Sequence, residues 1–264
     1  MNDSVLLARE GPVATLTLNR PAALNVLDLA MVDALVPATA AIAADPAIRV
    51  LVVRGAGKHF MAGGDIRTFA RSLGNAPDER RREFARLLER VHTVVETLAR
   101  MPQPVVARVH GAVAGFGLSL MNACDLAIAA DDAYFAGAYR QLGVTPDGGG
   151  TWSLPRIVGQ RRALEILLLS ERFDAARALD IGLVNRVVPA AGLDAEVERV
   201  VRTLVEGPRE ALAGTKRLVR GSLDRSLAEQ LHAEAASFAG LTARDDFVEG
   251  VTAFLEKRAP RFAD

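Results

Sequence analysis

The spacing of hydrophobic residues shifts between a two-residue and a helical period along roughly the first 190 residues. Short alternating or continuous apolar runs predict β-strands at residues 13–18, 50–53, 105–109, 125–130, 134–135 and 184–188. Apolar positions three and four apart predict helices at residues 30–42, 78–100, 118–123, 161–169 and 174–180. Pro37 is expected to kink or divide the first of these helices. Because helices connect the strands, the pattern predicts an α/β fold with parallel strands.

The pattern becomes entirely helical beyond about residue 190. Helix breaks are expected at Gly207-Pro208 and at Gly240. We therefore predict two regions, a strand-and-helix body at residues 1–190 and a helical region at residues 191–264. From the pattern alone, the helical region can pack on its own body or on another subunit.

Composition narrows the class of protein. Half of the 264 residues are hydrophobic and 24% are charged, which is typical of a folded domain with a sizeable core. The 32 basic and 32 acidic side chains cancel, so no overall field favours nucleic acid or an anionic membrane. No targeting segment is recognisable, and no apolar run reaches the ~20 residues of a spanning helix. Together with the lone Cys124, these features predict a soluble cytoplasmic protein.

Two glycine-containing turns are the first candidates for chemistry. They span residues 59–66 and 110–119, and each follows a predicted buried strand and can begin a helix. Backbone N–H groups at a helix start have no partner within the helix, so two such turns could converge on an oxyanion. Alternatively, the glycines only make the turns tight. Neither turn has the glycine spacing of a dinucleotide site or the ending of a phosphate loop.

Five segments occur in an order that resembles one protein family. They are RPAALN at residues 20–25, FMAGGDI at 60–66, GAVAGFG at 111–117, ACDL at 123–126 and PDGGGT at 146–151. Over essentially the whole chain they are similar to the crotonase (enoyl-CoA hydratase/isomerase) superfamily. The resemblance implies a crotonase-like spiral of ββα units followed by a helical trimerisation region. It also implies an acyl-CoA thioester substrate, no further cofactor, and a homotrimer or a dimer of trimers.

The same resemblance assigns an oxyanion hole to the backbone N–H groups of Gly64 and Phe116. One such donor typically contributes roughly 3–4 kcal/mol of transition-state stabilisation, here for a thioester enolate. Phe116 departs from the glycine frequent in the family, so its side chain is expected to narrow or reorient the acyl pocket. The residues implied to contact CoA are Ala23, Leu24, Ala62, Asp65 and Ile66, with Phe254 and Lys257 reaching the CoA of a neighbouring subunit.

The acidic residues distinguish between possible reactions. Hydratases of the family share two glutamates that activate water. The positions of these glutamates correspond to Ser119 and Tyr139 in this chain. Neither side chain can act as a carboxylate base, which disfavours the usual hydratase mechanism. Ser119 and Tyr139 are instead interpreted as polar walls of the substrate site.

Asp147 is the carboxylate that remains in this region. Its Pro-Asp-Gly sequence is by itself typical of a turn. In the family, Asp147 matches the acid of dienoyl-CoA isomerases and of the ring-epoxide and oxepin-forming isomerases of phenylacetyl-CoA degradation, to which residues 142–155 are most similar. The resemblance implies that Asp147 removes a proton γ to the thioester or next to the ring and returns it elsewhere. Mostly apolar neighbours are expected to raise its pKa toward the working pH.

Other functions are ranked below isomerisation. Asp147 also matches the nucleophile of 4-chlorobenzoyl-CoA dehalogenase, and His92 matches its histidine base, but Tyr139 stands where that enzyme has a tryptophan. A hydratase would have to use Tyr139 or an unassigned acid. A non-catalytic relative that binds RNA or acts as a scaffold is disfavoured by the balanced charge and by the retained Asp147. No metal site is expected, because the histidines and the cysteine lack ligand spacing.

Overall fold

Strands and helices alternate along most of the chain, of which the computed structural model describes residues 3–262. The strands are β1 (Val5–Glu10), β2 (Val13–Leu18), β3 (Val50–Gly55), β4 (Val105–Val109), β5 (Ala112–Ala114), β6 (Leu126–Ala130), β7 (Tyr134–Ala136), β8 (Phe173–Asp174) and β9 (Arg186–Val188). The helices are α1 (Leu29–Ala44), α2 (Ile66–Arg71), α3 (Pro77–Arg100), α4 (Phe116–Ala123), α5 (Gly150–Val158), α6 (Gln160–Leu169), α7 (Ala175–Asp180), α8 (Leu193–Val205), α9 (Arg209–Gly221), α10 (Leu227–Leu241) and α11 (Asp245–Glu256). The predicted α/β class is confirmed.

Two sheets organise the body of the molecule. The larger sheet has the order β1-β2-β3-β4-β6-β9, and all its pairs are parallel except the β1–β2 hairpin. The smaller sheet has the order β5-β7-β8, with a parallel β5–β7 pair and an antiparallel β7–β8 pair. Parallel strands need crossover connections, and the helices between the strands supply them.

Apolar side chains cover both faces of the larger sheet. Leu51 and Val53 of β3 belong to the main core, together with buried residues of α1, α3 and α4. Val50 and Val52 face the other way and pack with the apolar side of α8, for example Val200. Neighbouring residues of a strand point to opposite faces, so a continuous apolar run such as β3 fits a sheet buried on both sides. Every residue of α4 is buried, which places this helix inside the body.

Five elements, β1, β5, β8, α2 and α5, were not predicted from the sequence. Strand β1 is exposed along nearly its whole length and therefore lacks the apolar alternation of a half-buried strand. Helix α2 has only six residues, and α5 contains Pro155 and begins at Gly150. Both therefore lack the sequence signals that usually indicate a helix. Their positions are set by packing rather than by local propensity.

The structure differs from the sequence prediction at two expected helix interruptions. Helix α1 runs through Pro37 without being divided, because this residue is exposed and water can satisfy the carbonyl that loses its partner. Gly240 lies inside α10, since a single helical glycine costs only about 1 kcal/mol, and the expected break instead follows Leu241, before α11 begins at Asp245. The break at Gly207-Pro208 is present, and a further one at residues 222–226 separates α9 from α10.

The last part of the chain is helical, as predicted, with no strand between residues 191 and 262. Because α8 packs on the larger sheet, the region begins in contact with the body. The domain boundary near residue 190 stays a prediction, and the outermost residues of both predicted regions lie outside the described part. Within residues 3–262, no helix has the length and hydrophobicity needed to cross a bilayer.

Helix α9 is attached to the body by charged side chains around Asp125. Lys216 Nζ lies 2.8 Å from Asp125 Oδ2 and also donates to the carbonyl oxygen of Leu98 at 2.9 Å. Arg220 Nη2 donates to Asp125 Oδ1 at 2.9 Å. Burial lowers the pKa of Lys216, and the Asp125 carboxylate opposes this change. Asp125 therefore compensates the charges of two cations that would otherwise be poorly solvated.

We expect Asp125→Asn to lower the free energy of unfolding by about 2–3 kcal/mol, because it removes the charge that Lys216 and Arg220 share. Urea denaturation at neutral pH measures this loss. The matched control is Asp78→Asn, since Asp78 forms an exposed i,i+3 pair with Arg81 and such pairs contribute little. Equal stabilities of the two variants would contradict the importance of the Asp125 cluster.

Candidate active site

The first N–H group of α4 lies at a turn that only glycine adopts easily. Gly115 precedes the helix with φ +52° and ψ −124°, so the backbone enters α4 through a conformation with positive φ. Phe116 is the first residue of the helix, and its N–H donates to no acceptor among residues 3–262. This is the unpaired helix-start donor expected from the sequence.

A second turn, at Gly63 and Gly64, lies beside the first. Met61 N–H donates to the carbonyl oxygen of Ala112 at 3.0 Å, and Ala114 N–H donates to that of Met61 at 3.0 Å. These bonds join the two segments side by side before they reach their turns. A carbon added at Gly115 would lie 3.5 Å from the Cα of Gly63, so the two turns are in contact.

The N–H of Gly64 is also free within the described chain. Its neighbours are paired with Leu27, which donates to the carbonyl oxygen of Gly63 and accepts from Asp65 N–H, both at 2.8 Å. No acceptor within residues 3–262 receives the Gly64 N–H. Two adjacent turns therefore carry two unpaired donors, at Gly64 and Phe116, which is an arrangement able to hold an oxyanion.

Aromatic side chains flank both turns. The Phe69 ring stands over Gly64, where an added carbon would lie 2.6 Å from Cζ. Phe69 packs edge-to-face against Phe84, with 5.1 Å between ring centroids. The Phe116 ring lies against Gly148, where an added carbon would be 2.7 Å from Cε2. The glycines at both places leave the space that these rings occupy.

Asp147 lies at the centre of a set of polar contacts next to α4. Its Oδ1 accepts a hydrogen bond from the Tyr139 hydroxyl at 2.6 Å. The Ser119 hydroxyl donates to the main-chain oxygen of Asp147 at 2.9 Å, and its oxygen lies 3.4 Å from the hydroxyl oxygen of Tyr139. Ser119 and Tyr139 are both buried, and Asp147 is half-buried. The fold thus brings together three predicted site residues.

Burial dominates the electrostatics of this cluster. It raises the pKa of Asp147, while the Tyr139 hydrogen bond and the charge of His92 on α3 act in the opposite direction. Burial and the Asp147 charge also raise the pKa of Tyr139, which therefore stays protonated and can donate at neutral pH. The expected rise in the Asp147 pKa is present. His92 itself is exposed.

Asp65 lies where the Gly63-Gly64 turn enters α2. Its side chain accepts from Arg67 N–H at 3.0 Å, and it forms an ion pair with Arg20 at 2.9 Å. Burial opposes ionisation of Asp65, but the Arg20 and Arg67 contacts together lower its pKa. Its local role is to begin the helix and to hold the turn.

The other residues expected to contact CoA surround the same turn. Ala62 N–H donates to the carbonyl oxygen of Leu24 at 3.1 Å, which ties the 20–25 segment to the glycine turn. Ala23 is half-buried, and the side chains of Leu24 and Ile66 are respectively 44% and 51% exposed. These exposed side chains lie beside the turn that carries Gly64.

Asn25 is a residue that the sequence analysis did not single out. It is fully buried, with φ +55°, and its amide donates to the carbonyl oxygens of Ala56 and His59 at 2.9 and 2.7 Å. Asparagine tolerates the left-handed region, so its place at the end of the RPAALN segment was a usable signal. Phe69 had no such signal, because its contact with Gly64 depends on the entry angle of α2.

Phe254 and Lys257 are not brought to this cluster within one chain. Phe254 is 84% exposed near the end of α11, and Lys257 follows that helix with φ +56°. No hydrogen bond or ring contact joins either residue to Asp147 or Gly64 among residues 3–262. Their assignment to a neighbouring subunit's CoA stays a prediction. No cluster of three or more metal-ligating side chains occurs in the described part of the chain.

Comparison with known proteins gives consistent matches over nearly the whole length. Residues 8–264 match the family model described as enoyl-CoA hydratase/isomerase. The chain is 35% identical to a protein named crotonyl-CoA hydratase from Syntrophomonas wolfei, with 98% of both chains covered. It is 36% identical to one named 1,2-epoxyphenylacetyl-CoA isomerase from Escherichia coli, with 99% of both covered. A solved enoyl-CoA hydratase from a Polaromonas species has a TM-score of 0.91 at 35% identity, covering 98% of this chain and 99% of that one.

Proposed function

Because this chain belongs to the enoyl-CoA hydratase/isomerase family, we propose that it isomerises an acyl-CoA thioester by proton transfer through Asp147. The family membership and the crotonase-like fold expected from the sequence are confirmed. The chain is thus an enzyme of a family that acts on acyl-CoA thioesters. The named relatives divide between hydration and isomerisation, so the reaction is argued from the residues of this chain.

The polar cluster around Asp147 carries the proposal. Hydration needs a base for the water and an acid for the α-carbon, and the two family glutamate positions hold Ser119 and Tyr139. Both hydroxyls are engaged with Asp147. A single carboxylate is sufficient for isomerisation, because the same group takes a proton and gives it back. Its raised pKa suits both steps.

The proposed reaction balances without a second reactant. Asp147 takes a proton from the carbon γ to the thioester carbonyl, and the C–H electron pair enters a dienolate. The N–H groups of Gly64 and Phe116 hydrogen-bond the thioester oxygen as its negative charge develops. Asp147 then returns the proton to another carbon of the dienolate, which shifts the double bond and restores the carboxylate.

The remaining assignments belong to the same proposal. The CoA portion would follow Ala23, Leu24, Ala62, Asp65 and Ile66, with Ser119 and Tyr139 near the acyl group and Phe254 and Lys257 approaching from a neighbouring subunit. A homotrimer or a dimer of trimers in the cytoplasm, without a further cofactor, metal or nucleic acid, completes it. Support comes from the position of the first five residues around the Gly64 turn.

A dehalogenase-like reaction is the second candidate, because the charge of His92 acts on Asp147. In that reaction Asp147 would attack the halogen-bearing carbon of the substrate, halide would leave as the ester forms, and water activated by His92 would hydrolyse the ester and restore the carboxylate. The Tyr139 hydrogen bond favours the isomerase, since it occupies one carboxylate oxygen and restricts the nucleophile.

Turnover of enoyl-, dienoyl- and arylacetyl-CoA thioesters in deuterium oxide tests the proposed reaction. We expect a shifted double bond together with deuterium at a substrate carbon, because Asp147 can exchange its proton with solvent. Proton NMR and mass spectrometry of the products measure both. Release of a 3-hydroxyacyl-CoA with loss of conjugated absorbance would instead indicate a hydratase. An ester on Asp147 in the quenched enzyme would indicate nucleophilic catalysis.

A further inference from the structure

The Tyr139 hydroxyl is directed at one oxygen of the Asp147 carboxylate. It donates to Oδ1 at 2.6 Å, no other side chain among residues 3–262 donates to either carboxylate oxygen, and the N–H group of Asp147 itself also favours the ionised form. We propose that Tyr139 is a positioning residue that holds Oδ1 and leaves Oδ2 to carry the proton to and from the substrate. This inference rests on the proposed isomerase function and assigns to Tyr139 a task beyond lining the substrate site.

The turn that carries Asp147 is held firmly against α4. Ser119 Oγ donates to the Asp147 main-chain oxygen at 2.9 Å, and an added carbon at Gly150 would lie 2.8 Å from the same Ser119 oxygen. The Phe116 ring fills the space beside Gly148. With the backbone held in this way, the freedom left to Asp147 is rotation about its side-chain bonds. The Tyr139 hydrogen bond restricts that rotation.

The charged and titratable groups around Asp147 explain why a phenol suits this role. Burial raises the pKa of Tyr139, so the phenol remains a donor while Asp147 is ionised. Burial also raises the pKa of Asp147, and the Tyr139 bond moderates this rise. His92 on α3 acts in the same direction as Tyr139, whereas Ser119 on α4 contributes a neutral hydroxyl. Tyr139 therefore orients the base and favours its ionised form.

We expect Tyr139→Phe to lower kcat by about ten- to a hundredfold, because a misplaced base reaches the substrate carbon less often. As the pH is lowered, kcat/KM of the variant should also begin to fall at a higher pH than kcat/KM of the wild type. A base works when ionised, and loss of the phenol donor raises the pKa of Asp147. Steady-state kinetics from acidic to neutral pH measure both effects. KM should change much less than kcat, since the phenol holds the base.

Tyr134→Phe is the matched control, because it removes the same hydroxyl from the other tyrosine of the chain. Tyr134 contacts Arg172 and His59 through its ring and has no hydrogen bond to Asp147. Its pH profile should equal that of the wild type. In the Tyr134→Phe background, 3-fluorotyrosine enters only position 139. A more acidic phenol is a stronger donor, so this protein should retain activity to lower pH, without any deletion in the site.

The pH at which kcat/KM falls on the acidic side is called here the acidic limb. If the acidic limb of both Tyr139→Phe and the fluorotyrosine protein equals that of the wild type, the positioning role of Tyr139 is wrong. The same shift of the acidic limb in Tyr134→Phe and Tyr139→Phe would overturn this role as well, because it would show a non-specific effect. These results are distinguishable from failure of the proposed function. If Asp147→Asn retains full isomerase activity, Asp147 is not the base and the proposed function fails first. If that variant is inactive while the limb stays in place, only the role of Tyr139 is wrong.

Discussion

Asp147→Asn is expected to slow substrate proton exchange in deuterium oxide by about a thousandfold, within the range that loss of a general base produces. An amide of the same shape cannot accept the proton at neutral pH. Tyr139 can still donate to the Oδ1 of asparagine, and Ser119 can still hold the main-chain oxygen, so the turn should keep its conformation. Acyl-CoA affinity, measured by calorimetry, should therefore remain within a few-fold of the wild type.

The control for this variant is Asp78→Asn, which makes the same chemical change at a position 81% exposed in its side chain. Its exchange rate should match that of the wild type. Exchange at an undiminished rate in Asp147→Asn would remove Asp147 from the mechanism. Loss of acyl-CoA affinity to the same extent as exchange would assign Asp147 to substrate binding instead of catalysis.

The glycine turns could be located from sequence because their signals are local. A buried strand followed by a glycine and a helix start can be recognised within a stretch of about ten residues. The contact between the turns could not be located from the local sequence pattern, because it depends on Met61 pairing with the 112–114 segment, which is distant in sequence. The family resemblance implied that both donors serve one oxyanion hole, and the tertiary structure shows the contacts that make the two turns adjacent.

The polar cluster shows a different limit of sequence reasoning. Comparison with family motifs identified Ser119 and Tyr139 by what they lack, the two carboxylates of a hydratase. The loop between Tyr139 and Asp147 contains a short 3₁₀ helix at 140–142 and a left-handed Gly143, and it brings Asp147 next to both hydroxyls. This loop geometry has no periodic signal in the sequence. Only the folded chain shows that both hydroxyls serve the remaining acid.

Phe116 joins the two halves of the candidate site. Its N–H belongs to the turn that would hold the thioester oxygen, and its ring packs against the turn that carries Asp147. A substitution at this position removes the ring, and only proline also removes the N–H donor. Separating them requires a pair of variants that both lose the ring and differ in the backbone donor.

We expect Phe116→Pro to have a kcat about 100- to 1000-fold below that of Phe116→Ala, because only the proline variant lacks the N–H. This corresponds to roughly 2.7–4 kcal/mol of lost transition-state stabilisation for one oxyanion donor. Proline suits the first position of a helix, where no intrahelical hydrogen bond is lost. Gly115, at φ +52° and ψ −124°, is close to the mirror image of the extended backbone that precedes proline, so the turn should persist.

The comparison of these two variants tests the oxyanion assignment independently of the ring. Binding of a non-reacting acyl-CoA should differ little between them, since the donor acts mainly on charge that develops in the transition state. Circular dichroism and thermal unfolding establish that both retain the fold. If the two proteins turn over at the same rate, the Phe116 N–H does not stabilise the enolate, and Gly64 or a group outside these turns must do so. A gap of the expected size would place the developing negative charge at the start of α4.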